Sequence, residues 1–343
     1  MLKQSKHVIW VLQGARAGDN AQVLELASRL EAQVICKELK FNRFHHLPNF
    51  VLGASTHSLK PISKQDMSPP WPDLVIAAGK RSAPVARWIK QQSRRQTRIV
   101  HLGRPRAPLA AFDLVITTPQ YGLPQADNVI EMSLPFATAR SVEPGEKDFW
   151  RKEWAGLRKP WIAVAIGNAK FPLRLGRREI QLLGRQLNQL AGQTRGSLLL
   201  IASPRTASGV IAQIAGELSV PFIAYGKVDG GKNPYQPALK ICDRFVVTSD
   251  SISMISELMN TGKTVDVFEL PHSGVKLKWR AEEGLGAWLS RNGILQPPRD
   301  VSGLVRGLVE KGYINILGEP GERVPFKRED ITIMNRLNLL LNG

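Results

Sequence analysis

Apolar residues in this chain fall into short unbroken runs, separated by stretches in which apolar positions recur every three or four residues. Short runs bounded by Gly, Pro and polar residues predict buried strands, and the three-to-four spacing predicts amphipathic helices. Their alternation predicts a parallel sheet covered on both faces. In the first half HVIWVL (7–12), DLVIAA (73–78), RIVHL (98–102) and FDLVITT (112–118) are the expected strands, with helices near 20–30 and 82–93. In the second half the expected strands are WIAVAIG (161–167), SLLLIAS (197–203), PFIAYG (221–226), RFVVTSD (244–250) and TVDVFEL (264–270). Helical spacing fills 177–192, 207–217 and 251–261 between them.

The stretch 135–160 between these blocks mixes charge, Pro and Gly with weak periodicity, so the connection between domains is expected there. The plan is an N-terminal Rossmann-like domain over 1–140, a linker over 141–160 and a C-terminal domain over 161–324. A helix over 325–343 is expected to pack back across both. Two doubly wound α/β domains of this kind, facing each other, leave a cleft. In the last segment Ile331, Ile333, Met334, Leu337 and Leu340 share helical spacing, which fits a packing helix; an amphipathic membrane contact is the alternative.

The 343 residues suit two domains at about 150 residues each. With 43% hydrophobic and 22% charged residues and no repeat, collagen, coiled coil, solenoid and disordered chain are excluded. No apolar run reaches the ~20 residues that cross a bilayer, and the first strand pattern begins where a signal sequence would lie. The expected location is cytoplasmic, or peripheral on the inner face of a membrane. Cys36 and Cys242 form no CxxC, and none of the six histidines stands at ligand spacing, so no metal site is expected and the thiols are read as a buried pair. Lys and Arg number 47 against 29 acidic residues, a net charge of +18 that attracts polyanions: nucleic acid, phosphorylated metabolites or an anionic membrane. No RNP motif, zinc finger or basic zipper supports specific nucleic-acid binding.

The most informative stretch is 244–271, where a buried strand runs into Ser249, Asp250 and Ser251, a helix follows, and Gly262 precedes the next strand. Any of the three polar residues can cap that helix. A helix N-terminus at the carboxyl edge of a parallel sheet offers backbone donors to a phosphate. Asp250, Ser253 and Glu257 fall on one helix face, and Ile252, Ile255 and Met259 on another, so Glu257 can point away from the core toward the hydroxyls of a ribose. A capped surface helix with a solvated glutamate fits the spacing equally.

The segment ISELMNTGKTVDVFELP resembles the donor-site signature of GT-B glycosyltransferases, the group containing the peptidoglycan and lipid A disaccharide transferases. That resemblance implies a small-polar loop on the diphosphate, at Ser251 and Ser253, and a ribose-binding glutamate at Glu257. The pieces GARAGDNAQ (14–22), PWPDLVIAAGKRSAPVA (70–86), HLGRPR (101–106), FDLVITTPQ (112–120), NPYQPAL (233–239) and TSDSISMISELMNTGK (248–263) resemble the mitochondrial fission "elongated mitochondria" family. The older description of that family as nucleoside-diphosphate-sugar epimerase is rejected, because short-chain epimerases carry an opening GxxGxxG and a catalytic YxxxK. The first loop lacks GxxGxxG, and none of Tyr121, Tyr225, Tyr235 or Tyr313 has a lysine four residues later.

The first loop, Gln13 to Asn20, places Asp19 as an N-cap with Gln22 three residues on. A Gly-Asp pair at the corresponding loop of the lipopolysaccharide heptosyltransferases, which this loop resembles, implies that Asp19 is the catalytic base, with Gly14, Gly18 and Asn20 beside the acceptor. From Lys80 to Arg106 there is no acidic residue. Lys80 and Arg81 end one strand, Arg104 and Arg106 another, and these four are expected to meet an anionic acceptor or lipid headgroups. In the second block Gly167, Asn168, Ser203 and Arg205 lie at strand ends expected to face donor phosphate, although the glycine-rich loop of better-known GT-B members is missing. Tyr225 is expected near the base, with packing as the competing role.

The resulting expectation is a metal-independent, inverting GT-B glycosyltransferase with no cofactor. It would move a sugar from a nucleotide-diphosphate-sugar donor to an anionic, lipid-linked or envelope-glycan acceptor. The alternative is a non-catalytic scaffold on the same fold at a membrane surface.

Overall fold

The structure is a computed structural model that describes residues 7–137, 142–226, 233–272, 284–319, 321, 324–326 and 330–342. The chain divides into two compact units, one of 1–137, 278–300 and 328–343, the other of 138–277 and 301–327.

In the first unit β1 (Val8–Gln13), α1 (Ala17–Ala27), β2 (Gln33–Glu38), α2 (Asn49–Leu52) and α3 (Pro61–Gln65) come first. They are followed by β3 (Leu74–Ala78), α4 (Gly79–Gln92), β4 (Arg98–Leu102), β5 (Leu114–Thr117) and β6 (Val129–Glu131). The six strands form a parallel sheet in the order β2-β1-β3-β4-β5-β6. Alternate residues of the apolar runs serve opposite faces, because side chains on a strand point alternately up and down. Ile9, Val11, Leu74, Ile76, Val100 and Leu114 pack with Val23 and Leu26 of α1, while Trp10, Leu12, Val75, Ile99 and Val115 pack with Val85 and Ile89 of α4.

The second unit opens with α5 (Pro144–Glu153), β7 (Trp161–Ile166), α6 (Arg177–Thr194), β8 (Ser197–Ala202), α7 (Val210–Ala215) and β9 (Phe222–Tyr225). It continues with α8 (Tyr235–Ile241), β10 (Arg244–Thr248), α9 (Ile252–Met259) and β11 (Thr264–Phe268). Next, α10 (Gly284–Arg291) belongs to the first unit, α11 (Val301–Glu310) and β12 (Asn315–Ile316) to the second, and α12 (Asp330–Asn342) to the first. The second sheet is parallel in the order β12-β11-β10-β7-β8-β9. Both units are thus doubly wound Rossmann-like α/β domains.

Several expectations change. The stretch read as a linker holds α5, and Trp154 at its C-terminal cap is fully buried and donates from Nε1 to the Tyr225 hydroxyl at 2.7 Å. The range 161–324 is interrupted, because 278–300 join the first unit: Arg104 bonds to the Pro297 carbonyl, and the Asp300 N–H donates to Gln120 O at 2.8 Å. The final helix buries Ile333 and Leu337 in the first unit's core, and Arg29 ties down its Asp330. Cys242 is buried but Cys36 is exposed, so the thiols are not a buried pair. Among the described residues no helix is long and apolar enough to cross a membrane.

Candidate functional site

Open parallel sheets bind ligands beyond the carboxyl ends of the strands where the winding reverses, because the loops there diverge and leave a crevice. In the second sheet that reversal lies between β7 and β10, which are neighbours although the chain first builds β8 and β9 on the other side. The loops leaving these two strands carry Gly167–Asn168 and Ser249–Ser251.

Asp250 bridges the reversal by accepting the Asn168 N–H at 2.7 Å, and the Gly167 N–H donates to the Thr248 hydroxyl at 2.9 Å. A Cβ on Gly167 would stand 2.3 Å from one Asp250 carboxylate oxygen, so only glycine admits this approach. Burial raises the Asp250 pKa, opposed by Thr248, the Asn168 amide and the charge of Arg205. Asp250 therefore fastens the loop, a role different from donor contact.

Beside it, the Thr206 hydroxyl lies 2.7 Å from Ile166 O and 2.9 Å from Gly167 O, and accepts the Ser203 N–H at 2.8 Å. The Ser203 hydroxyl lies 2.9 Å from Thr206 Oγ1, and the Ser249 hydroxyl accepts the Leu270 N–H at 3.0 Å. Both serines, expected on the donor, are buried in the loop framework. Ser251 stands at the N-cap of α9 without a side-chain cap bond, contrary to the expected capping. The helix start therefore keeps its first amides free of side-chain acceptors. Ser253 and Glu257 are half-buried on α9, Ile252, Ile255 and Met259 are buried, and Arg205 is exposed. Glu257 stands beside the Tyr235 phenol, whose pKa rises through burial and then through the Glu257 charge. Tyr225 sits at the end of edge strand β9 with its ring edge-on to Trp150 at 5.4 Å, a packing position.

In the first sheet the reversal lies between β1 and β3. Asn20 clamps the first loop: its side chain accepts the Gly14 N–H and donates to Gly14 O, both at 2.8 Å. Arg16, not Asp19, is the N-cap of α1; Asp19 lies in the first turn and Gly18 is exposed. Gly79, with φ of +76°, brings the start of α4 against Asp19, so a Cβ there would stand 3.0 Å from the Asp19 carboxylate. His101, fully buried at the end of β4, bonds from Nε2 to Gly79 O at 3.1 Å. Burial lowers its pKa to about 4, outweighing the backbone contacts at Gly79 and Gly103, so the ring is neutral.

Lys80 donates to His46 O at 3.1 Å, and its pKa is lowered by burial and then by Arg106 and Arg81. These three cations therefore share one neighbourhood. Arg81 lies 5.8 Å from the Phe41 ring and Arg106 is exposed. Arg104 differs: it is 8% exposed, reaches Pro297 O and the Tyr121 ring, and burial followed by Arg106 pulls its pKa to about 10. It is a structural cation. Thr248, Thr206, Gly79 and His101 escaped the sequence reading because nothing local separates them from ordinary strand-end residues.

The family model described as mitochondrial fission ELM1 matches residues 17–300, and the chain belongs to that family. It is 29% identical over 266 residues to the Mitochondrial fission protein ELM1 of Arabidopsis thaliana, a match spanning 68% of this chain and 59% of that protein's length. An uncharacterized protein of Rickettsia prowazekii is 23% identical over 298 residues, 77% of this chain and 84% of its own length. Among solved structures, the UDP-GlcNAc 2-epimerase of Methanocaldococcus jannaschii is similar with a TM-score of 0.49 and 7% identity, covering 97% of this chain and 99% of that one. A glycosyltransferase from Rickettsia africae has a TM-score of 0.47 and 11% identity, covering 98% and 96%. The Neisseria meningitidis UDP-GlcNAc 2-epimerase bound to UDP-GlcNAc has a TM-score of 0.47 and 13% identity, covering 98% and 100%.

Proposed function

We propose that this chain is a glycosyltransferase that holds a nucleotide-diphosphate sugar at the winding reversal of its second domain. The observation carrying this reading is the uncapped start of α9 next to the Gly167–Asp250 contact, with Arg205 exposed nearby and Glu257 half-exposed farther along the helix. Amides at a helix start and a guanidinium are suited to a diphosphate, and the carboxylate of Glu257, beside the Tyr235 phenol, has several acceptor sites of which ribose hydroxyls can use some.

In this reading Asp19 accepts the proton of the acceptor hydroxyl as that oxygen bonds to the anomeric carbon. The bond from that carbon to the diphosphate oxygen breaks, the electron pair leaves with the diphosphate, and the α9 amides and Arg205 stabilise it electrostatically. One displacement inverts the anomeric carbon. The acceptor is anionic, lipid-linked or an envelope glycan, and its charge meets Lys80, Arg81 and Arg106. Arg104 has no part in this.

Calorimetry with UDP, GDP, ADP and CMP tests the donor site. One of them binds the native chain, Arg205→Ala weakens the diphosphates about tenfold through loss of one charged hydrogen bond, and Glu257→Ala weakens every ribonucleotide that binds. Absence of binding by all four refutes the proposal. A second reading, a scaffold without chemistry, draws support from the Ser203 and Ser249 hydroxyls being occupied within the framework. It is distinguished by the same titration, since a scaffold requires no nucleotide.

A further inference from the structure

The chain carries no acidic residue from Leu39 to Gln65, nor from Leu74 to Phe112. The structure brings these two stretches together at the carboxyl edge of the first sheet. Asn49, 2% exposed, donates to the carbonyls of Lys80 and Pro105, both at 2.8 Å, and Arg87 donates to Gly53 O at 3.3 Å. The turn of 3-10 helix at Arg43–His46 and the short α2 are thereby fixed to the loops that follow β3 and β4.

On this anchored segment Asn49 and Leu52 turn inward while large apolar side chains stay in water. Phe50 is 60% exposed, Val51 57%, Phe44 45% and Leu47 39%. Single exposed apolar residues are ordinary, but four within eight residues on a well-anchored loop mark a contact surface. Arg43 lies on the same segment, and the Lys80, Arg81 and Arg106 cluster adjoins it through the Lys80–His46 bond.

We infer that the loop 43–51 docks on an anionic lipid bilayer, with Phe44, Leu47, Phe50 and Val51 in the interfacial layer and Arg43, Lys80, Arg81 and Arg106 on headgroup phosphates. Of the polyanions that such charge attracts, nucleic acid could stack bases on Phe44 and Phe50 but has no use for the likewise exposed aliphatic Leu47 and Val51, which a bilayer takes up together with the rings. Apolar side chains beside cations, with no acidic residue, match the layering of a bilayer surface. The inference does not require that the chain transfer a sugar, so nucleotide binding and vesicle binding can fail separately.

Flotation of the full chain with vesicles of phosphatidylcholine, alone or with phosphatidylglycerol, tests it. Binding requires phosphatidylglycerol and weakens with salt. Phe50→Ser and Val51→Ser each lower partitioning roughly tenfold through lost apolar burial, and Arg43→Gln about fivefold. Leu285→Ser and Trp288→Ser, at exposed positions of α10, leave it unchanged. All substituted side chains are exposed, so unchanged far-ultraviolet dichroism verifies the fold. The inference is overturned by absence of vesicle binding, by equal binding to neutral vesicles, or by a loss seen with the α10 variants and not with the loop variants. Binding of nucleic acid in preference to vesicles overturns it as well.

Discussion

Replacing Gly167 with alanine probes the geometry on which the donor site rests. The new methyl would lie 2.3 and 2.6 Å from the two Asp250 carboxylate oxygens, more than an ångström short of van der Waals contact for the nearer one. Asp250 is short and must swing away, which takes its oxygen out of reach of the Asn168 N–H now held at 2.7 Å. Loss of a hydrogen bond to a charged acceptor costs about 1.5–3 kcal/mol, and residual overpacking about 1–3 kcal/mol. Reduced freedom of the unfolded chain offsets about 0.4–1 kcal/mol. The net is about 2–5 kcal/mol against folding of the second domain. Asp250→Ala alone costs about 1–2 kcal/mol because the Asn168 amide loses its acceptor, and in that background Gly167→Ala adds under about 0.5 kcal/mol. Amide exchange over β7 and β10 reads this domain separately from the first. The single alanine speeds exchange there at least about thirtyfold, and a double-mutant cycle gives a coupling of about 2–5 kcal/mol. Equal cost of Gly167→Ala in both backgrounds would refute the argument.

Two further predictions concern stability. His101 titrates near 4 in the folded chain against an ordinary 6.5, so the unfolded chain binds the extra proton first and stability is lost as pH falls from 6.5 to 4. The loss approaches about 3 kcal/mol; urea unfolding across that range shows it, and His101→Gln flattens the acid limb. Asp266, 2% exposed, holds Arg244 through two bonds of 2.6 and 2.8 Å between β10 and β11. Asp266→Asn costs about 3 kcal/mol by leaving that arginine without its countercharge, whereas a change under 0.5 kcal/mol in urea would show the pair to be idle.

Most strands that could be read from the sequence are buried on both faces, the edge strand β9 with its unbroken apolar run being the exception. RIVHL at 98–102 coincides with β4, and WIAVAI and SLLLIA with the start and body of β7 and β8. By contrast β2, QVICKE, is an edge strand with four of its six residues exposed, so its apolar signal is diluted by polar positions. Helix α5 was hidden by Pro, Gly and charge at its start, yet Trp150 and Trp154, one turn apart, carried the amphipathic signal. The return of 278–300 to the first unit is decided by contacts such as Arg104 to Pro297, which join residues far apart in sequence and leave no local pattern. The site divides in the same way. Spacing alone placed Ser253 and Glu257 on the outer face of α9, while the use of the Ser203 and Ser249 hydroxyls depends on partners in other loops.

For the proposed transfer, the surroundings of the two winding reversals favour one aspartate over the other as the base. Each domain sets an aspartate against a glycine of the neighbouring strand end, Asp19 against Gly79 and Asp250 against Gly167. Asp250 is intermediate in exposure as a residue, but its carboxylate accepts a backbone amide at 2.7 Å, its Oδ1 is buried, and burial raises its pKa. A carboxylate so placed must surrender the Asn168 bond before it can turn to a substrate. Asp19 is half-exposed in the first turn of a helix whose preceding loop is held by the Asn20 side chain. In the proposed transfer, removing Asp19 costs turnover, whereas removing Asp250 first costs the loop its acceptor for the Asn168 N–H. A transfer assay and an unfolding curve on the same pair of alanine variants separate these outcomes. Lost turnover for an Asp19→Ala chain that still folds supports the assignment, and retained turnover removes it.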